Sequence, residues 1–154
     1  MNILALDLGT TTGWAVGIEN GHIISGSESF KIDRFSGGGI RFLRFLSWLD
    51  GIYTAYPIDR VTYEEVRRHL GVDAAHMYGG FMYHLQGWCE KRGIPYDGVP
   101  VGTIKKHITG RGNANKRLVM ISVEHLGYSP KDDNEADAIA LCDYVLRNQP
   151  GFTP

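Results

Sequence analysis

Apolar and polar residues follow two different spacings along this chain, and the changes of spacing divide its first half into strands and a helix. "NILALDLG" is a short apolar run, and "GWAVGIE" and "HIISGSESFKI" follow as two more strand-like segments. The Asn20-Gly21 pair between the last two is typical of a tight hairpin turn. After the glycine-rich "FSGGG", apolar residues recur every three or four positions from Ile40 to Tyr56, which predicts an amphipathic helix that ends before Pro57.

The second half of the chain alternates between the same two spacings. "IDRVTYEEV" and "IPYDGVPV" predict strands, separated by a helical pattern from Ala74 to Cys89 that Gly93 ends. "TIKKHI" predicts a short helix and "TGRGNAN" a glycine-rich loop, after which Asn115 caps a helix over residues 116–126. A last helix is expected from Glu135 to Arg147. This order predicts an α/β fold, a mixed sheet flanked by helices, in a single domain spanning residues 1–154.

Length and composition are those of a globular protein. The chain has 154 residues, of which 43% are hydrophobic and 21% charged, and no segment approaches the roughly 20 apolar residues of a membrane span. The opening runs into a strand without the features of a signal peptide. Cys89 and Cys142 lie in helical apolar patterns without metal-ligand spacing, so we interpret them as buried thiols. We therefore expect a cytoplasmic protein with no membrane partner.

The net charge of −1 conceals two adjoining blocks of opposite sign. A basic block runs from Lys105 to Arg117 without an acid, and an acidic block runs from Asp132 to Asp143 without a base. Either block alone is compatible with a solvated charged surface. Together they are the pattern expected of a phosphate-binding surface beside a carboxylate cluster that binds metal.

Two acids stand at the ends of predicted strands. Asp7 ends the first strand and Glu64 ends the fourth. An acid followed by glycine can simply form a turn. In mixed sheets of this class, however, ligands bind beyond the carboxyl ends of adjacent strands, so neighbouring first and fourth strands would bring both carboxylates into one crevice. Glu65 points to the opposite face from Glu64, and we interpret it as a surface or supporting residue.

More carboxylates mark the start of the last helix. Asp133 and Asp137 are four residues apart, and Asn134 and Asp137 are three apart, so either pair can share one helix face. Capping of the helix is the alternative interpretation for most of these acids. Asp137, however, is followed by the apolar "AIALC", where a charge needs a partner.

Oxygen ligands without His or Cys favour Mg²⁺ or Mn²⁺. Two ions about 4 Å apart could activate a water and stabilise the leaving oxygen of a phosphodiester. In this interpretation Asp7 bridges both ions, Glu64 holds one, and Asp137 holds the other with Asn134 or Asp133.

"TIKKHITGRGNANK" is the most specific stretch of the sequence. Lys105 and Lys106 lie on a short helix, Arg111 lies in the glycine turn, and Lys116 begins the next helix. Lysines with exposed backbone N–H groups suit the tracking of a phosphodiester backbone. A solvated basic loop is the alternative.

With these motifs in order, the chain resembles the RuvC-type Holliday junction resolvases over nearly its whole length. "LALDLGTTTGWAV", "VTYEEV", "IKKHITGRGNANK" and "NEADAIAL" are similar to four successive family motifs. The resemblance implies an RNase H-like fold with a five-stranded sheet of order 3-2-1-4-5, a homodimer, and Mg²⁺-dependent paired nicking of four-way DNA junctions. It implies that the catalytic set is Asp7, Glu64, Asp137 and Asn134, and that Lys105, Lys106 and Lys116 contact DNA.

Two departures from the family pattern matter for function. Asn134 stands where the family has Asp or His, so the second ion loses a charged ligand unless Asp133 or Glu135 assists. "VRRHL" replaces an aromatic wedge, and Arg67, Arg68 and His69 could meet phosphates or stack on bases instead. Both features are similar to phage-borne relatives that cut several kinds of branched DNA.

Three other functions remain as alternatives. The first is an ATPase of the actin and sugar-kinase superfamily, for which the chain is short and a second phosphate loop is not found. The second is an RNA-processing nuclease of the same fold, and the third is a non-catalytic junction-binding protein.

Overall fold

Five strands form a mixed sheet at the centre of this computed structural model, which describes residues 1–148. They are Ile3–Asp7 (β1), Thr11–Gly17 (β2), Ile23–Ser29 (β3), Arg60–Glu65 (β4) and Tyr96–Pro100 (β5). Their order is β3-β2-β1-β4-β5, with β2 antiparallel to β1 and β3, and β4 parallel to β1 and β5. Four strands therefore end at the same side of the sheet, which we call the carboxyl edge; it comprises the ends of β1, β3, β4 and β5.

Within residues 1–148, five helices cover the two faces of the sheet. They are Gly39–Ala55 (α1), Val72–Arg92 (α2), Val101–Thr109 (α3), Lys116–His125 (α4) and Asp133–Arg147 (α5). Alternate residues of β1 feed two apolar cores: Leu4 and Leu6 pack with α1 and α2, whereas Ile3 and Ala5 pack with α3, α4 and α5. Because β1 is buried on both faces, its sequence is a continuous apolar run rather than an alternating one.

Close packing of α5 on β2 depends on two glycines. A Cβ on Gly13 would stand 1.8 Å from the backbone oxygen of Asn134, and one on Gly17 would stand 2.9 Å from the Cys142 sulfur. Only a residue without a side chain fits at Gly13. This contact sets the first turn of α5 directly beside the carboxyl end of β1, because Gly13 pairs with Asp7.

The predicted fold class and strand order are confirmed, and the differences concern the ends of elements. The strand predicted over residues 22–32 ends at Ser29, and its pairing with β2 closes with one further bond, from the N–H of Phe30 to the carbonyl of Thr10 at 2.7 Å. The helix predicted from Ala74 to Cys89 extends over Val72–Arg92. The last helix begins two residues before the predicted Glu135, and the predicted domain end at residue 154 lies outside the described residues.

The turn between β2 and β3 differs in register from the predicted one. The N–H of Gly21 donates to the carbonyl of Ile18 at 2.9 Å, so the central residues are Glu19 and Asn20. Gly21 follows with a φ of 81°, a conformation that favours glycine. Within residues 1–148, no helix has the length and apolar character needed to cross a membrane.

Candidate active site

Asp7 and Glu64 lie side by side at the carboxyl edge. β1 and β4 are adjacent and parallel, and their register pairs Leu6 with Tyr63, so Asp7 and Glu64 are the next residues on the two strands. Alternate residues of a strand point to opposite faces of the sheet, and the side chains of Asp7 and Glu64 point to the face that α5 covers, as those of Ile3 and Ala5 do. The expectation that the first and fourth strands are neighbours is confirmed.

The turn that follows Asp7 is closed by a threonine. The hydroxyl of Thr12 donates to the carbonyl of Gly9 at 2.8 Å, and Thr12 is fully buried. This threonine of "DLGTTTG" therefore has a structural role, shaping the turn beside Asp7. Sequence analysis did not identify it, although a hydroxyl three residues after a glycine is compatible with such a turn.

The acids at the start of α5 divide into two groups. Asp132 caps the helix by accepting the N–H of Glu135 at 2.8 Å, and it also accepts the Ser27 hydroxyl at 2.7 Å. Glu135 is buried, accepting the Ser25 hydroxyl at 2.8 Å and the N–H of Lys131 at 2.7 Å. Glu135 is thus engaged with β3 and the helix start, whereas Asp133 and Asp137 face the strand-end carboxylates.

The electrostatics show that these acids share one environment. Burial, followed by the charges of Glu64, Asp137 and Asp133, raises the pKa of Asp7 well above its usual range. Burial and then Asp137 raise the pKa of Glu64 to about 7. Burial and then Asp133 raise the pKa of Asp137 to about 6. Carboxyl groups that disfavour ionisation in this way gain most from a nearby cation.

Two lysines of the basic block supply positive charge to this cluster. Lys105 and Lys116 both lower the pKa values of Glu64 and Asp137, and Lys116 also lowers that of Asp7. Lys116 Nζ donates to Asp133 Oδ2 at 2.5 Å, which raises the pKa of the lysine and lowers that of the acid. The basic block and the acidic block therefore meet in space, at the first turn of α5.

The donor set fits a hard divalent cation. Asp7, Glu64 and Asp137 offer oxygen ligands, which Mg²⁺ and Mn²⁺ prefer. Among residues 1–148, no group of three or more His, Cys, Asp or Glu side chains is already arranged to hold one ion. Asp7, Glu64 and Asp137 are neighbours, but each occupies a separate position: two at strand ends and one on α5. Asn134 contributes its backbone carbonyl to the contact with Gly13.

The other predicted DNA-binding residues lie outside this cluster. Lys106, Arg111 and Arg68 are exposed, and Arg67 pairs with Glu65 at 3.2 Å on the opposite face of β4 from Glu64. In the loop after β4, His69 packs against the Tyr78 ring with centroids 5.0 Å apart, whereas Leu70 is fully exposed.

Tyr78 of α2 supports the end of β4. Its hydroxyl donates to the carbonyl of Glu64 at 2.8 Å and accepts the N–H of Val66 at 3.2 Å. Burial raises the pKa of Tyr78 to about 12, so the hydroxyl keeps its proton. The helical spacing of Tyr78 favours core packing and gives no sign of this support.

His107, next to Lys106 in the sequence, pairs with an acid of α5. Its Nε2 lies 2.8 Å from Asp143 Oδ2, and Arg147 donates to the same carboxylate at 2.9 Å. The His107 imidazole therefore links α3 to α5.

Comparison with solved structures supports the fold assignment. The RuvC of Thermus thermophilus in complex with a Holliday junction substrate superposes with a TM-score of 0.80 at 21% identity, covering 93% of this chain and 91% of that one. A second structure of Thermus thermophilus RuvC gives 0.73 at 21% identity, covering 94% and 95%. The yeast mitochondrial Holliday junction resolvase gives 0.62 at 10% identity, covering 92% and 75%. No protein-family model and no curated protein sequence matches the chain.

Proposed function

We propose that this chain is a structure-selective DNA endonuclease that resolves four-way junctions by paired, divalent-metal-dependent nicking. The observation that carries the proposal is the meeting of Asp7, Glu64 and Asp137 with Lys105 and Lys116 at one edge of the sheet. The shared fold with a RuvC solved on a Holliday junction supports the choice of substrate.

Each residue has a distinct role in this proposal. Asp7, Glu64 and Asp137 hold the metal, with Asn134 or Asp133 completing the set near α5. When bound, a pair of Mg²⁺ or Mn²⁺ ions supplies an activated water and a stabilised leaving oxygen. Lys105 and Lys116 hold the scissile strand's phosphates beside the acids, and Lys106, Arg111, Arg67 and Arg68 hold the flanking backbone as point charges.

Paired nicking requires two sites acting on one junction, so the proposal includes a homodimer. The proposed setting is the cytoplasm of a bacterium or a phage-infected cell.

A broader activity on flaps, Y-shaped DNA and replication forks is the second candidate. The observation that favours it is the loop after β4, where His69 is packed against Tyr78 and the exposed tip is the aliphatic Leu70. An aliphatic tip offers no ring to stack at the centre of a four-way junction.

The decisive experiment incubates the protein with a labelled four-way junction, a flap and a linear duplex, in Mg²⁺, Mn²⁺ or chelator. Symmetric nicks on the junction alone, lost in chelator, are expected for resolution. Cuts on every branched substrate would support the broader activity. Metal-dependent junction binding without cutting would indicate a non-catalytic binding protein, and phosphate release from ATP would favour the kinase-like alternative.

A further inference from the structure

A second basic and aromatic surface lies on the loop between β3 and α1. We call residues 31–38 the Phe35 loop. Phe35 is 85% exposed, and Lys31 and Arg34 are exposed beside it. The Arg34 guanidinium carbon stands 4.8 Å from the centroid of the Phe35 ring. An exposed ring next to two cations is the combination that stacks on nucleobases and pairs with phosphates.

The one acid of this loop is engaged in forming it. Asp33 accepts the N–H groups of Phe35 and Ser36 at 2.8 and 2.9 Å, together with the Ser36 hydroxyl at 3.0 Å. Asp33 therefore fixes the turn that carries the ring at its tip. The bonds from the Phe35 N–H and the Ser36 hydroxyl lower the pKa of Asp33, and the charge of the neighbouring Arg44 lowers it further, which adds a third cation to this region.

The Phe35 loop emerges at the carboxyl edge, next to the turn that follows Asp7. The N–H of Phe30 donates to the carbonyl of Thr10 at 2.7 Å, and Arg41 Nε donates to the carbonyl of Phe30 at 3.0 Å. The registers that pair Asp7 with Gly13 and Gly13 with Ser27 place β3 two strand spacings, roughly 10 Å, from Asp7. At a rise of about 3.4 Å per nucleotide, a nucleic-acid strand crossing the acids covers the distance from Asp7 to β3, the strand that leads into this loop, in about three nucleotides.

The space beyond the ring is open. A Cβ built on Gly37, Gly38 or Gly39 would meet no heavy atom within 4 Å beyond the adjacent backbone, so each of these glycines has an open side. The Phe35 loop is thus accessible at the glycines that follow the Phe35 ring in the sequence.

We infer that the Phe35 loop is a second nucleic-acid contact, in which the Phe35 ring stacks on an unpaired base beside a branch point and Arg34 and Lys31 meet the adjoining phosphates. Bases within a duplex have no free face for a single ring, whereas a branch exposes one. This inference rests on the proposed function for its substrate class and adds the single-stranded segment that the loop recognises.

The test measures binding in chelator, where nicking plays no part. A fork with unpaired arms carries 2-aminopurine beside the branch, and a linear duplex of equal length is the comparison. We expect Phe35→Ala to weaken fork binding by roughly 10-fold, as loss of one base stack does. The 2-aminopurine quenching should be lost, and duplex binding should change by less than about twofold. Phe35→Tyr should retain both fork affinity and quenching.

Matched variants lie at the opposite edge of the sheet. Tyr53 of α1 stands 18 residues after Phe35 and should tolerate Tyr53→Ala without a change in fork binding. Arg34→Ala should flatten the log–log salt dependence of fork binding by about 0.7, the value for one single-strand phosphate contact, whereas Lys91→Ala should not.

Two results would overturn the inference: unchanged fork affinity and quenching in Phe35→Ala, or equal weakening on fork and duplex. Its failure is distinguishable from that of the proposed function. A wild-type protein that quenches the probe on forks but nicks no DNA in Mg²⁺ would retain this contact and lose the nuclease assignment. Normal nicking by the wild type, together with unchanged fork affinity and quenching in Phe35→Ala, would retain the nuclease assignment and remove this contact.

Discussion

At the scale of single residues, neighbouring positions of like chemistry have different roles because of the faces they occupy. Glu64 faces the acid cluster and has a raised pKa, whereas Glu65 pairs with the exposed Arg67 on the other face of β4. Asp137 faces the cluster, whereas Glu135 is bound to Ser25. Function at this site therefore depends on which side of an element a carboxylate takes.

Glu64 and Glu65 provide a matched pair of substitutions. Glu64→Gln removes the charge of a proposed metal ligand, so we expect nicking to fall by at least about 100-fold while junction binding in chelator stays within about twofold. Glu65→Gln should leave the nicking rate within about threefold, because it removes only an exposed ion pair. Single-turnover nicking rates measure both. Comparable losses in the two variants would show that the face assignment is wrong.

Lys116 should affect the pH dependence of nicking. Its charge lowers the pKa values of Asp7, Glu64 and Asp137, so Lys116→Met should raise all three. Because metal binding needs ionised carboxylates, the acidic limb of the rate profile should move to higher pH. Lys106→Met removes a neighbouring exposed lysine that does not lower the pKa values of these acids. The acidic limb of its pH–rate profile should therefore stay in place. Rates from pH 5 to 9 at saturating DNA test this, and coincident limbs in Lys116→Met and wild type would contradict it.

At the scale of elements, the position of α5 decides whether the site exists. α5 carries Asp137, and it approaches β1 because Gly13 leaves room for the backbone of Asn134. Ser25 and Ser27 of β3 then hold Glu135 and Asp132, which fixes the helix start on the sheet. The packing of α5 on β2 and the hydroxyls of Ser25 and Ser27 therefore position the site, and no ligand is needed for this.

Gly13→Ala should disrupt this arrangement. The new methyl group would stand 1.8 Å from a backbone oxygen, so α5 must move away from β2. We expect a loss of about 1–3 kcal/mol or more in the free energy of unfolding, and reduced nicking in the molecules that remain folded. Gly87→Ala, on an exposed position of α2 with nothing within 4 Å, should instead gain up to about 1 kcal/mol. Urea unfolding measures both, and a Gly13→Ala variant as stable as wild type would refute the packing argument.

The sequence predicts this fold well, but it predicts less well which acids face the site and which stabilise the start of α5. Asp7 and Glu64 could be predicted as neighbours, because each ends an apolar strand and the strand order follows from the family resemblance. The acids of "DDNEAD" could not be sorted, because the partners that distinguish Asp132 and Glu135 lie 105 and 110 residues away in β3. The supporting bond from Tyr78 to Glu64 likewise depends on how α2 packs, which periodicity alone does not specify.

At the scale of the whole molecule, the cluster of half-buried acids links stability to pH and, through the proposed metal site, to the concentration of divalent cation. Acids whose pKa is raised in the folded state stabilise the fold below their ordinary pKa, and this stability is lost as pH rises through the folded value. Asp33 and Asp133 have lowered pKa values, so their contribution is lost only on acidification below their ordinary range. The two effects therefore occupy separate pH windows.

Metal-free protein should accordingly lose stability between about pH 4.5 and pH 7. Glu64, whose pKa is raised from 4.5 to about 7, gives an effect on the order of 3 kcal/mol by itself, and Asp7 and Asp137 change it in the same direction.

Mg²⁺ should restore this stability most strongly above pH 7, by about 2.7 kcal/mol at a concentration 100 times its dissociation constant. Urea unfolding at pH 5 and pH 8, each in chelator and in Mg²⁺, measures both effects. Glu64→Gln, which keeps the side chain neutral at every pH, is the control and should be less sensitive to pH and to Mg²⁺. If metal-free wild type is more stable at pH 8 than at pH 5, or if Mg²⁺ stabilises the wild type and Glu64→Gln equally, the acids at the carboxyl edge do not form a metal-binding cluster.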